Sequence, residues 1–134
     1  MKKILFIFFL FSISTIFSQN FTRQDTLRGS ITPQRAWWDL TYYHLDISVN
    51  PENQSIEGSN TINYRVLHPN DEIQIDLQDP LKINKVIQDG NELNFRSEGY
   101  SHFIKLKKKQ KNGQIKSIKV FYEGKPKVAV RPPW

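Results

Sequence analysis

The stretch Arg35-Ala-Trp-Trp-Asp-Leu-Thr-Tyr-Tyr-His-Leu-Asp-Ile-Ser-Val49 decides the fold. An aromatic cluster leads into strict alternation, with Tyr43, Leu45, Ile47 and Val49 on one side and Tyr42, His44, Asp46 and Ser48 on the other. A period of two is what a half-buried strand requires, because successive side chains point to opposite faces. A second alternating run follows, Ile56 to Val66, whose apolar face is Ile56, Ile62, Tyr64 and Val66. Asn50-Pro51-Glu52-Asn53 between them is strong turn chemistry. The two runs predict an antiparallel hairpin on which the remaining strands assemble, with the apolar row of each strand inside. On that expectation Ile47→Asp and Val120→Asp both unfold the domain, while Asp46→Ala is nearly silent.

Working outward, the same grammar repeats. Ile73, Ile75 and Leu77 alternate with Gln74, Asp76 and Gln78, and Asp79-Pro80 breaks that strand. Leu81 to Ile87 is rich in β-branched residues. Asp89-Gly90 signals a type I′ turn, because both central residues need positive φ, and Leu93 and Phe95 sit on the returning strand. Glu98-Gly99 turns into Ser101 to Leu106, and Asn112-Gly113 predicts a last tight hairpin into Ile115 to Tyr122. No stretch beyond residue 18 has a helical period. About seven short strands with regular turn signals predict an all-β chain, an antiparallel β-sandwich.

The N-terminus is of another kind. Lys2-Lys3 precedes an almost continuously apolar run, Ile4 to Phe17, and the small residue Ser18 then stands before Gln19. This is the layout of a cleaved secretory signal peptide, too short to span a bilayer comfortably. The expected domains are a signal peptide 1–18, a flexible leader 19–34, a sandwich 35–127 and an extended tail 128–134. The predicted location is exported, periplasmic or extracellular, with no membrane attachment after cleavage near Ser18. Val128 to Trp134 carries Pro132 and Pro133 and stops on a tryptophan, which reads as a chain cut off in mid-course.

The chain has no cysteine, so the fold stands on its core alone. The formal charge is +6, and losing Lys2 and Lys3 leaves 17 basic against 13 acidic residues, or +4. Six of the lysines lie between Lys105 and Lys116. No stacking aromatics are interleaved with them, so they read as a solvated, edge-protecting hairpin and no nucleic-acid partner is expected.

No catalytic chemistry is legible. His44, His68 and His102 have no metal-ligand spacing, and no nucleophile elbow, P-loop or dinucleotide fingerprint occurs. The expected catalytic, cofactor-binding and metal residues are therefore none. Trp37, Trp38, Tyr42 and Tyr43 read first as a buried cluster and second as a sugar-stacking platform.

Taken in order, Tyr43-x-Leu45-x-Ile47-x-Val49, Ile56-x-Gly58 and Ile62 resemble the opening of the N-terminal domain of the aminopeptidase N-like zinc metallopeptidases. Ile75-Asp-Leu77, Leu81-x-Ile83-x-x-Val86 and Asp89-Gly90 are similar to its continuation, and Ile118-x-Val120-x-Tyr122-x-Gly124 to its closing strand. Arg35-x-Trp-Trp-Asp39 and Arg131-Pro-Pro-Trp134 look like a secreted bacterial branch. The resemblance implies a saddle-shaped sandwich packed on a thermolysin-like catalytic domain, its partner. That domain holds the zinc, the general-base glutamate and the Gly-x-Met-Glu-Asn motif, none of which has a counterpart here. The implied function is a non-catalytic N-terminal fragment of an exported zinc aminopeptidase-like protein, touching peptide only through the parent. The alternative is a complete small secreted binding module for carbohydrate or a surface partner.

Overall fold

The computed structural model describes residues 21–131. The signal-peptide stretch and Pro132 to Trp134 lie outside the described residues. Among those described, two short helices precede eight strands: α1 (Arg23–Gly29), α2 (Pro33–Ala36), β1 (Trp38–Asn50), β2 (Ser55–Val66), β3 (Asn70–Asp76), β4 (Lys82–Gln88), β5 (Asn91–Glu92), β6 (Phe95–Glu98), β7 (Ser101–Gln110) and β8 (Ile115–Gly124). They form a five-stranded sheet, β1-β2-β8-β4-β5, and a three-stranded sheet, β3-β7-β6, and every pairing is antiparallel.

The β1–β2 hairpin is present, with Val49 opposite Ile56 and Tyr43 opposite Ile62. Its place differs from the sequence expectation: β1 is an edge, and β8 is the centre of its sheet. Gly58 is dictated by the pairing itself, since a Cβ there would lie 2.1 Å from the Asp46 carbonyl oxygen. Asp89 and Gly90 both have positive φ, as the turn requires.

Two other connections depart from the reading of local hairpins. The chain breaks at Leu93 and Asn94, so β5 belongs to the larger sheet and β6 to the smaller one. Asn112-Gly113 likewise hands the chain from β7 in one sheet to β8 in the other. There the turn pairs with the end of β2, Gly113 N–H donating to the Val66 carbonyl and Val66 N–H to that of Gln114. A turn signal fixes a reversal of direction. Which strand then lies alongside is set by the core.

The core fills the space where the sheets overlap: Ile62, Tyr64 and Val66 of β2, Ile73 of β3, Val86 of β4, Ile104 and Leu106 of β7, and Ile118 and Val120 of β8. Trp37 and Trp38 both meet Tyr64 edge-on, at centroid distances of 6.0 and 5.7 Å. Trp37 is buried and donates from Nε1 to the Glu72 carbonyl; Trp38 is partly buried and donates to that of Gln34. At the centre lies a polar ring that the alternation pattern does not announce. The Tyr64 hydroxyl donates to Gln110 Oε1 (2.9 Å) and accepts from Gln88 Nε2 (3.0 Å), while Gln110 Nε2 donates to Gln88 Oε1 (3.0 Å). Burial pushes the Tyr64 phenol above its ordinary pKa, against its hydrogen bonds with the two glutamines.

The leader expected to be flexible is instead folded onto the smaller sheet. A capping box opens α1: the Thr22 side chain accepts from Asp25 N–H and the Asp25 carboxylate accepts from Thr22 N–H. Leu27 is buried, and Pro33 starts α2 at a position where a missing N–H costs nothing. Gln74, expected on a solvent face, is buried beneath this segment.

Candidate functional site

The row Tyr43, Leu45, Ile47, Val49 does not reach the core. Every residue from Asp39 to Asn50 is exposed, Ile47 by 46% and Val49 by 65%. The physical reason is extent: β1 and the adjoining half of the larger sheet run past the smaller sheet, which has only three strands. The sandwich therefore gapes. Between its layers lies an open groove of about 800 Å³.

A register shift between Leu40 and Tyr42 shapes one wall. The extra residue of a bulge reverses the alternation, so Trp38 and Leu40 line the same groove as Tyr43 and Leu45. Ile56 and Ile62 of β2, Ile83 of β4 and Val120 and Tyr122 of β8 form the floor, and Ile75 and Leu77 close the far side.

One end is polar. Arg35 forms an ion pair with Asp76 and donates from Nη1 to the Ser30 carbonyl at 3.2 Å. The Gln74 amide is turned with its oxygen toward Arg35 Nη2 (3.0 Å) and its nitrogen toward Thr32 Oγ1 (2.5 Å). Partial burial, and secondarily the Asp76 charge, raise the Tyr43 phenol above its ordinary pKa. Asn60 lines the same groove, and its Oδ1 is buried without a hydrogen-bond partner. A buried acceptor left orphaned is costly and marks a place where a donor is expected. The groove presents a long apolar surface with one unanswered acceptor, which suits burial of chain. It offers no nucleophile paired to a base.

No protein-family model matches the sequence, and no curated protein matches it. Solved structures do. The M1 zinc metallopeptidase from Deinococcus radiodurans superposes with TM-score 0.61 at 18% identity, over 74% of this chain and 24% of its own. A mutant of that enzyme bound to a Tyr-ser-ala substrate gives 0.62 at 17% identity, over 74% and 23%. Leukotriene A4 hydrolase from Saccharomyces cerevisiae gives 0.53 at 21% identity, over 64% and 15%. The fold is that of a β-sandwich portion of M1 zinc metallopeptidases. This chain spans less than a quarter of the length of those enzymes.

The zinc that the M1 fold brings to mind does not fit the described residues. His44 is exposed on β1 and His68 follows β2 in a loop. His102, expected near the surface at a turn, is instead buried on β7, where Nδ1 lies 2.8 Å from Ser97 Oγ and Nε2 3.4 Å from the Leu77 carbonyl. The three do not converge, and among the described residues no group of three His, Cys, Asp or Glu is placed to hold a metal.

The aromatic platform also dissolves. Trp37 is 2% exposed and packed in the core, leaving Tyr42 and Tyr43 as the exposed rings. In the lysine segment, Lys105 is paired with Asp71 at 2.8 Å, while Leu106 and Gln110 point inward. Most of the groove-lining apolar residues belong to the alternating rows expected to close a core. Asn60 carries a fainter signal in the sequence: a polar residue on the even, inward parity of β2, shared with Ile62 and Tyr64.

Proposed function

We propose that this chain is the non-catalytic N-terminal β-sandwich of an exported zinc aminopeptidase-like protein. There it packs on, and helps shape, the catalytic domain that removes N-terminal residues from peptides. The observation that carries this reading is the open groove: on a fold shared with M1 zinc metallopeptidases, an apolar face stands without the layer that would complete it. Leaving that face in water forgoes about 25 cal/mol for each Å² that a covering element would bury. The orphaned Asn60 Oδ1 in its wall supports the same reading, because a covering segment can supply the donor.

In this reading the groove is structural. Zinc, the general base and the peptide site belong to the covering part of the parent, and the sandwich contributes rigidity and one wall. Export follows from the Lys2-Lys3 start and the apolar run Ile4 to Phe17. N-terminal sequencing of the exported protein should begin at Gln19, and a mature chain retaining Met1 would overturn the export reading.

The deciding experiment reads the coding sequence after Trp134 and expresses the chain with and without it. The expected continuation carries Gly-x-Met-Glu-Asn, then His-Glu-x-x-His with a later glutamate. The longer product should cleave aminoacyl anilides, and the short chain should bind an apolar fluorescent dye that the longer product does not. A stop codon at Trp134, with no such motifs in the next two kilobases or so (several domains at 100–200 residues each), overturns the reading in favour of a small binding module.

A further inference from the structure

The described residues contain four sheet edges, and three are short or covered. β5 has two residues and β6 four, while β3 carries α2 packed against it. The fourth, β1, runs for 13 residues and is bare from Asp39 to Asn50. Unpaired edges template association, and proteins blunt them with lysine, proline, bulges or shortness. β1 has neither lysine nor proline, and its one register shift lies near its start, between Leu40 and Tyr42. From Tyr42 to Asn50 it is a regular strand offering a full row of backbone donors and acceptors beside an exposed apolar row.

We propose that this edge pairs with β1 of a second copy of the chain, antiparallel about a two-fold axis at Leu45. The register follows from which polar side chains face each other. In a two-fold antiparallel pair, facing residues share a face of the sheet, so each candidate axis sets a fixed list of partners. An axis at His44 places histidine against histidine and Tyr42 against Asp46. An axis at Asp46 places two carboxylates together. Only the axis at Leu45, among these, sets His44 of each copy against Asp46 of the other. On the apolar face it puts Leu45 against itself and Tyr43 against Ile47. An imidazole N–H facing a carboxylate across the strands can donate to it, whereas two carboxylates facing each other oppose pairing, so of these three axes the one at Leu45 makes β1 complementary to itself. The inference does not rest on the parent-enzyme reading, because the groove face remains available beside the paired edge.

The test uses the purified protein in sedimentation equilibrium together with single cysteines, which report cleanly in a chain with no cysteine of its own. A dimer is expected at tens of micromolar. Under mild oxidation Leu45→Cys should cross-link to itself, since directly facing residues fall within disulfide reach. Tyr43→Cys and Ile47→Cys should each link poorly alone but efficiently when mixed. His44→Asp should weaken the dimer at least tenfold, and His44→Asp with Asp46→Lys should restore it. These are exposed positions, so circular dichroism should show every variant folded. A monomer at all concentrations up to about 100 micromolar overturns the proposal, as does cross-linking of Ser48→Cys to itself as fast as Leu45→Cys, or association indifferent to His44→Asp. These outcomes read the association of this chain by itself, whereas the parent-enzyme reading is tested on the coding sequence, so the two readings fail separately.

Discussion

Gly58 and Tyr64 show how single residues hold this sandwich. At Gly58 the β1 backbone comes so close that a methyl would lie 2.1 Å from the Asp46 carbonyl oxygen. Gly58→Ala must push the strands apart, at a cost of about 1–3 kcal/mol for an overpacked contact. Urea denaturation should show that loss, and hydrogen exchange should place the loosening in β1 and β2. Tyr64→Phe keeps the ring but removes the hydroxyl that both donates to Gln110 and accepts from Gln88. Two buried amides then lose a partner, and about 1–3 kcal/mol of stability should go with them. A Tyr64→Phe variant as stable as the parent would mean that the ring of three is not closed in solution.

Among the elements, β1 and β8 carry similar alternating patterns and meet opposite fates. Ile47 in β1 is 46% exposed, while Val120 in the central strand β8 is 4% exposed. Val120→Asp should unfold the protein, since a buried unpaired charge costs several kcal/mol against a total stability of about 5–15. Ile47→Asp should change the stability of dilute protein by no more than about 0.5 kcal/mol, as surface changes usually do. Thermal denaturation of the two variants side by side separates the cases. Equal damage from both would mean that β1 is covered in solution. The helices make a complementary point. α1 and α2 are too short to show a period, so their signals were the caps: the Thr22–Asp25 box and Pro33.

For the whole molecule, ion pairs tie the N-terminal segment to the smaller sheet, and they set an acid limit. The hydrogen bond from Arg23 leads the causes that hold the Glu98 carboxyl below its ordinary 4.5, and the Thr22 side chain does the same for Asp25 below 3.8. Both folded-state values are depressed. Their contribution is therefore fully present above those ordinary values and is lost as pH falls through the lower, folded ones. Hydrogen exchange across α1 should quicken as acid reaches that window, and Glu98→Gln should shift the onset. What the sequence by itself determined was local: which stretches are strands, where they reverse, which parity is apolar, and that no catalytic or metal motif is present. Tyr64, Ile118 and Val120 were legible as core because alternation and burial agree there. The tertiary structure alone decided which apolar rows are covered. It sent β7 and β8 to different sheets across one tight turn, joined Tyr64, Gln88 and Gln110 from three strands, and left Tyr43 to Val49 uncovered. The reason is physical. A period of two records that a strand has an apolar face, whereas burial depends on what the rest of the chain can lay against it, and three strands cannot cover a sheet of five.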